Sequence, residues 1–252
     1  MGLVDGGSCR ALRGLLQPGQ PFTPWRIPAR AFLLEHPTLG RLLFDTGYAP
    51  RIYQVARLYS WLLDVRAAPN PLPDISTVIL SHFHPDHIAG CRDYSQARFL
   101  YSQQAWDSAR QRGWRSGYLP TLLPDDFAPR AQAIENTPLA ALPGWLAPFS
   151  WGRNVLGDGS LWSVDLPGHA VGQFGLAGEG QTGRFFLIAD ACFTSWEIDQ
   201  RRTPNPLLLW AAGADRGAYR ATLEKLYQLR QSQPELTILP CHCPAAHLPN
   251  RS

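Results

Sequence analysis

Apolar and polar positions along this chain fall into short runs that predict strands separated by a few helices. Ser8–Leu12 reads as an edge strand, and residues 31–35 and 41–44 as two strands joined by a turn over 36–40. Ile52, Val55, Ala56, Tyr59, Leu62 and Leu63 recur at helical spacing, predicting an amphipathic helix over 49–65 that the prolines between Ala67 and Pro73 end. Val78–Leu80 is continuously apolar, as a buried strand is, and a short helix closed by Gly90 follows it. Further on, the pattern predicts a strand at 97–101, a helix at 103–112 and a strand at 161–166. A hairpin over 174–177 and 184–189, a helix at 215–231 and a last strand at 236–239 complete the set. From Gly113 to about Val155 the periodicity dissolves, leaving Trp114, Tyr118, Phe127, Trp145, Phe149 and Trp151 among prolines and glycines. Such a stretch suits an aromatic-rich lid or insertion, or else a satellite core, with helix allowed over 129–141.

The chemistry concentrates where the strand over Val78–Leu80 ends. Ser81-His82-Phe83-His84-Pro85-Asp86-His87 places three of the seven histidines and an aspartate within six residues. Imidazole and carboxylate are the ligands a zinc-like divalent cation takes. His82 and His84, two apart on extended backbone, point the same way. Asp86 and His87 follow Pro85, which suits a first helical turn and swings them aside. The loop thus offers two ligand pairs in two directions, as a binuclear metal site needs.

Composition narrows the picture. At 252 residues with no linker-like stretch, 1–252 reads as a single domain, the 113–155 segment being its lid or insertion. A net charge of +3 gives no footprint for a nucleic-acid backbone. Five scattered cysteines without a C-x-x-C pair argue against a disulfide framework. No secretory signal and no transmembrane-length apolar run is visible, so the expectation is a cytoplasmic protein without a membrane partner.

The pattern H-x-H-x-D-H after an apolar strand resembles the metallo-β-lactamase superfamily. The resemblance implies an α/β fold, a four-layer αββα sandwich of two mixed β-sheets flanked by helices. It also implies a third histidine, a bridging aspartate and a last histidine, each past a later strand. Gly168-His169-Ala170-Val171-Gly172 fits the expected G-H-x-x-G, Asp190 closes the strand at 184–189, and His242 follows the final strand, with His247 as its alternative. His82, His84 and His169 would then hold one metal and Asp86, His87 and His242 the other, with Asp190 between them. Two divalent ions are implied, zinc first, with iron or manganese open. Asp45, in the Asp45-Thr46-Gly47 that the family places under the metal loop, is expected to orient a metal-bound ring.

Within the superfamily, length and layout look most like the lactonase branch, and a carboxylate at Asp190 is atypical of the β-lactamases. Nuclease relatives add a domain or basic arm, and glyoxalase-type relatives a C-terminal helical domain; neither is evident. The implied activity is a metal-bridging hydroxide attacking a lactone or other carboxylic ester, with Asp86 also taking part in proton transfer. A small-molecule substrate with an apolar part, a wall of Phe193, Tyr118 and Trp151, and a homodimer complete the expectation. Thioesterase, phosphodiesterase, β-lactamase and di-iron oxidoreductase are the alternatives, together with a regulatory module that keeps a vestigial site. Cys192, two residues after Asp190, reads as a buried, inert thiol. Two departures stand out: Phe193 where lactonases carry tyrosine, and Cys243 where an aspartate is common.

Overall fold

The alternation around Ala31 runs further than the short strand expected there. In the computed structural model of the chain, which describes residues 1–68 and 71–245, it makes a 13-residue strand with Ile27, Ala29, Ala31, Phe32 and Leu34 buried. The residues form two compact units: Met1–Leu12 with Pro24–Ala133, and Arg13–Thr23 with the chain from Ile134 onward.

The first unit holds a mixed six-stranded sheet in the order β1 (Gly2–Leu12), β2 (Pro24–His36), β3 (Gly40–Phe44), β4 (Ile75–Leu80), β5 (Arg98–Tyr101) and β6 (Ala131–Ala133). The first three strands run antiparallel, and β3 to β6 run parallel. Only Ser76 of β4 is exposed, so the apolar run Val78–Leu80 is covered on both faces rather than alternating. Burying Val78, Ile79 and Leu80 contributes roughly 1.5–3 kcal/mol for each side chain. Between β1 and β2 the chain forms a short helix, α1 (Arg13–Leu16), that belongs to the second unit.

The single helix expected over 49–65 is two, α2 (Ile52–Val55) and α3 (Arg57–Leu62), broken where Ala56 leaves helical backbone at φ −135°, ψ 58°. The spacing misleads because no buried face supports it: Leu58, Trp61 and Leu62 are exposed, and within the two helices only Ile52 and Ser60 are buried. α4 (Pro85–Ile88) follows β4, and α5 (Gln103–Arg112), capped by the Ser102 hydroxyl, follows β5. After α6 (Phe127–Arg130), residues 131–141, part of the 129–141 stretch where the sequence allows helix, supply β6 and the first strand of the second sheet. Pairing of Phe99 with Ala131 and of Leu139 with Arg153 overrides the helical preference of the alanines. Tyr118 and Phe127, expected on a lid, are buried around Phe83, at centroid distances of 6.0 and 6.3 Å.

The second unit contains β7 (Leu139–Ala141), β8 (Trp151–Asn154), β9 (Leu161–Asp165), β10 (Phe174–Gly180), β11 (Gly183–Ala189) and β12 (Thr237–Pro240). They form a mixed six-stranded sheet in the order β12-β11-β10-β9-β8-β7, with only β11 and β12 parallel. The glycines expected to make a wide turn lie mostly in the strands, leaving Gln181-Thr182 to connect β10 to β11. Three helices follow: α7 (Ser195–Gln200), α8 (Pro206–Ala211) and α9 (Arg216–Ser232). Leu223, Leu226 and Leu229 of α9, at helical spacing, share a core with Val164, Phe186, Ile188 and Ile238 of the sheet. Two mixed sheets flanked by helices are the α/β class the sequence implied. Among the described residues, no helix is long and apolar enough to cross a membrane.

Candidate metal centre

In the first unit, β3 and β4 run side by side and end together, Phe44 opposite Ile79. That register sets Asp45 beside the loop after β4. Asp45 adopts left-handed backbone, φ 60°, and its carboxylate, 1% exposed, is wholly engaged. Oδ1 accepts from the Ser81 amide and Oδ2 from the Ser81 hydroxyl and from His87 Nδ1, each at 2.8 Å. This wiring selects tautomers. The Asp45 contact puts the His87 proton on Nδ1 and its lone pair on Nε2. The Ser81 hydroxyl, its hydrogen given to Asp45, acts as acceptor to His82 Nδ1 at 3.0 Å, which leaves the His82 lone pair on Nε2 as well.

Thr46 fastens the loop from the other side. Its amide and hydroxyl both donate to the His87 carbonyl, at 3.0 and 2.8 Å, and its hydroxyl accepts from the Gly90 amide at 3.0 Å. Pro85 opens α4, as its fixed φ suits, with His84 still extended ahead of it. The His82 ring lies 4.5 Å from that of His84 and 4.0 Å from that of His87, centroid to centroid. Asp86 Oδ2 is 3.6 Å from His87 Nε2. Gly117 makes room for His84: at φ 74°, a Cβ there would press on the ring at 3.0 Å.

In the second unit, three strand ends supply the remaining candidates. Past β9, Gly168 comes so close to α9 that a Cβ would lie 2.4 Å from the Tyr219 Cα, and its φ of 138° also suits only glycine. The Asp215 amide donates to the Gly168 carbonyl and the Thr222 hydroxyl to that of Pro167, which fixes the loop carrying His169. β11 ends at Ala189, φ 46°, turning out Asp190, and the parallel β12 delivers Cys241 and His242 next to it. Asp190 Oδ2 lies 3.3 Å from both His169 Nε2 and His242 Nε2, and Cys241 Sγ lies 2.5 Å from Oδ1. All four side chains are buried.

Phe193 stands edge-on to His169, with centroids 5.3 Å apart, and 5.8 Å from the His242 ring. Its amide and that of Thr194 donate to Glu197 Oε1, while the Tyr219 hydroxyl donates to Oε2. Burial pushes the Glu197 carboxyl up to about 8 against those three donors, and burial also raises the Tyr219 phenol. Cys192 is buried in the α9 core with its thiol pushed well up by burial, which suits an inert role.

The structure thus gathers His82, His84, Asp86, His87 and Asp45 in one unit, and His169, Asp190, His242 and Phe193 in the other. Tyr118 lies in the aromatic cluster around Phe83, its phenol raised by burial, and Trp151 is exposed on β8; His247 lies outside the described residues. Within each unit, the imidazole, carboxylate and thiol donor atoms of His82 with His84, and of Asp190 with Cys241 and His242, lie within 4.8 Å of one another. Histidine, carboxylate and thiol at that spacing fit a divalent, zinc-like cation. Sequence reasoning missed Ser81, Thr46, Cys241 and Glu197. Ser81 and Cys241 adjoin the histidines, and Thr194-Ser195-Trp196-Glu197 is the T-x-x-E pattern that marks a helix start.

Comparison with known proteins gives a consistent family. Residues 25–100 match the family model described as the metallo-beta-lactamase superfamily. The chain is 30% identical to the N-acyl homoserine lactonase AiiB of Agrobacterium fabrum over 235 residues, 84% of this chain and 78% of that protein. It is 25% identical to the metallo-hydrolase mfmC of Annulohypoxylon moriforme over 88% of its own length, but spans only 64% of that protein. Among solved structures, the dizinc quorum-quenching lactonase AidC, in complex with an N-hexanoyl-L-homoserine product, shares the fold. The TM-score is 0.64, at 14% identity, over 96% of this chain and 87% of that one. With the histidine-aspartate loop after β4 and the donors after β9, β11 and β12, these likenesses identify the chain as a member of the metallo-beta-lactamase superfamily.

Proposed function

We propose that the chain is a binuclear metal-dependent hydrolase acting on an ester-like carbonyl, a lactone or other carboxylic ester, with zinc as the preferred metal. The reading rests most on Asp190, whose Oδ2 is equidistant from His169 and His242, as a carboxylate shared between two cations would be. On this proposal His82, His84 and His169 would hold one ion, and Asp86, His87 and His242 the other. Superfamily membership and the lactonase and metallo-hydrolase relatives support the reaction class.

Bound there, a pair of divalent cations would supply hydroxide near neutral pH, by lowering the pKa of water from ~15.7 towards ~7, and positive charge at the carbonyl oxygen. The chain's own groups do the rest. Asp45 and Ser81 hold the His87 and His82 rings in the tautomers that present Nε2. Asp86 carries a proton to the departing alkoxide oxygen. Phe193 walls the second donor set with apolar surface and, lacking a hydroxyl, offers the substrate carbonyl no hydrogen bond. The substrate's acyl part is therefore recognised by packing, which admits simple esters beside lactones.

The test is a panel of lactone, aryl ester, thioester, phosphodiester and β-lactam substrates offered to the zinc-loaded protein. Hydrolysis of the lactone or aryl ester, lost on chelation and restored by zinc, is the expected result. Turnover of the phosphodiester alone would overturn the substrate class, and turnover unaffected by chelation would overturn the metal dependence.

A further inference from the structure

We infer that Cys241 is itself a metal ligand, so that one of the two cations sits in a mixed nitrogen, oxygen and sulfur shell. The inference rests on the reading that the donor sets hold divalent cations. It goes beyond that reading by adding a thiolate to a centre otherwise made of imidazole and carboxylate.

Three cysteines lie near Asp190 in sequence or space, and their surroundings differ. Cys192 is packed into the apolar core of α9 with Ile198 and Leu223 and belongs to neither group of clustered donor atoms. Cys243 is engaged with Ser195 at the start of α7, its sulfur 3.5 Å from both the Ser195 amide and hydroxyl. Cys241 alone of the three stands in the donor set. Its Sγ contacts Asp190 Oδ1, and its sulfur, the Asp190 carboxylate and the His242 ring offer donor atoms within 4.8 Å of one another. The side chain is 1% exposed.

The backbone explains why it is held there. The Cys241 amide donates to the Ala189 carbonyl at 3.2 Å, so the parallel ends of β11 and β12 fix Asp190 and Cys241 side by side. The chain turns immediately after β12, which brings two successive residues, Cys241 and His242, to the same carboxylate. A thiolate is a softer ligand than imidazole or carboxylate and favours zinc over magnesium, calcium or manganese. Ligation replaces the S–H bond with a sulfur–metal bond and releases the proton to solvent.

X-ray absorption of the zinc-loaded full chain tests this directly, because a zinc–sulfur distance of about 2.3 Å is resolved from zinc–nitrogen and zinc–oxygen distances of about 2.0–2.2 Å. The expected result is a sulfur shell in the wild type that persists in Cys243→Ser and disappears in Cys241→Ser. The cobalt-loaded protein should show a thiolate-to-cobalt absorption band in the near ultraviolet with the same dependence on the variants. The wild-type and Cys243→Ser spectra together decide between the two cysteines even where Cys241→Ser does not fold. Nitrogen and oxygen scatterers alone, with metal fully loaded, would overturn the thiolate ligand and leave the hydrolase reading standing. So would a sulfur shell that vanishes in Cys243→Ser. A protein that takes up no zinc or cobalt would overturn both.

Discussion

His82, His84, Asp86 and His87 lie within six residues, and hydrogen bonds tie His82 to Ser81 and His87 to Asp45 and Thr46. His169, Asp190 and His242 come from three strand ends far apart in the chain, and packing of α7 and α9 holds them. The first set is a local construction whose geometry is written in polar contacts. The second is a tertiary construction whose geometry depends on how closely helices approach the sheet. Damage to the first should therefore appear in metal affinity, and damage to the second in folding.

The largest effect is expected where the second set leans on its helix. Gly168→Ala puts a Cβ against the Tyr219 backbone at a φ that disfavours it, and should cost about 3 kcal/mol of stability in a denaturant titration. A loss under about 1 kcal/mol would show that α9 yields easily and that the second set is not packing-limited. Next comes Asp45→Asn, which keeps the shape but gives the carboxylate's place to an amide. Zinc affinity measured by competition should fall about 10–100-fold with the melting temperature little changed. A variant that melts early yet binds zinc normally would reverse the assignment, making Asp45 a structural residue.

The smallest effect at any one pH step, a slope rather than a loss, separates the two sets by pH. Burial raises Glu197 from 4.5 to about 8, so the folded protein keeps a proton that the unfolded chain gives up between those values. The stability this contributes is fully present below about pH 4.5 and is lost as pH rises through about 8, at no more than about 1.4 kcal/mol per pH unit. Glu197→Gln should flatten that slope between pH 5 and 8 in thermal melts. An unchanged slope would place the titration elsewhere.

The same division explains what could be read from the chain. The first donor set was legible because its ligands are neighbours in sequence and follow a strand whose apolar run is unbroken. His169, Asp190 and His242 required the family resemblance, since nothing in their local sequence announces that β9, β11 and β12 end together. The helices fared according to their anchoring. α9, with leucines on one face and Asp215 as its cap, matched its expected bounds closely, whereas 49–65 carried the right spacing without a surface to bury it against. α7 was overlooked despite its T-x-x-E signature because it is only six residues long. The sequence allows helix over 129–141, and strand pairing, a long-range term, decides otherwise at 131–133 and 139–141.

Thr46 joins the beginning and the end of the histidine loop through peptide groups and one hydroxyl, using no atom that a cation would claim. The first donor set is thus shaped by the polypeptide before any ion arrives, unlike small zinc modules that acquire their conformation only on loading. For this half of the molecule, the backbone contacts need no cation, so the loop is expected to keep its course in the metal-free protein.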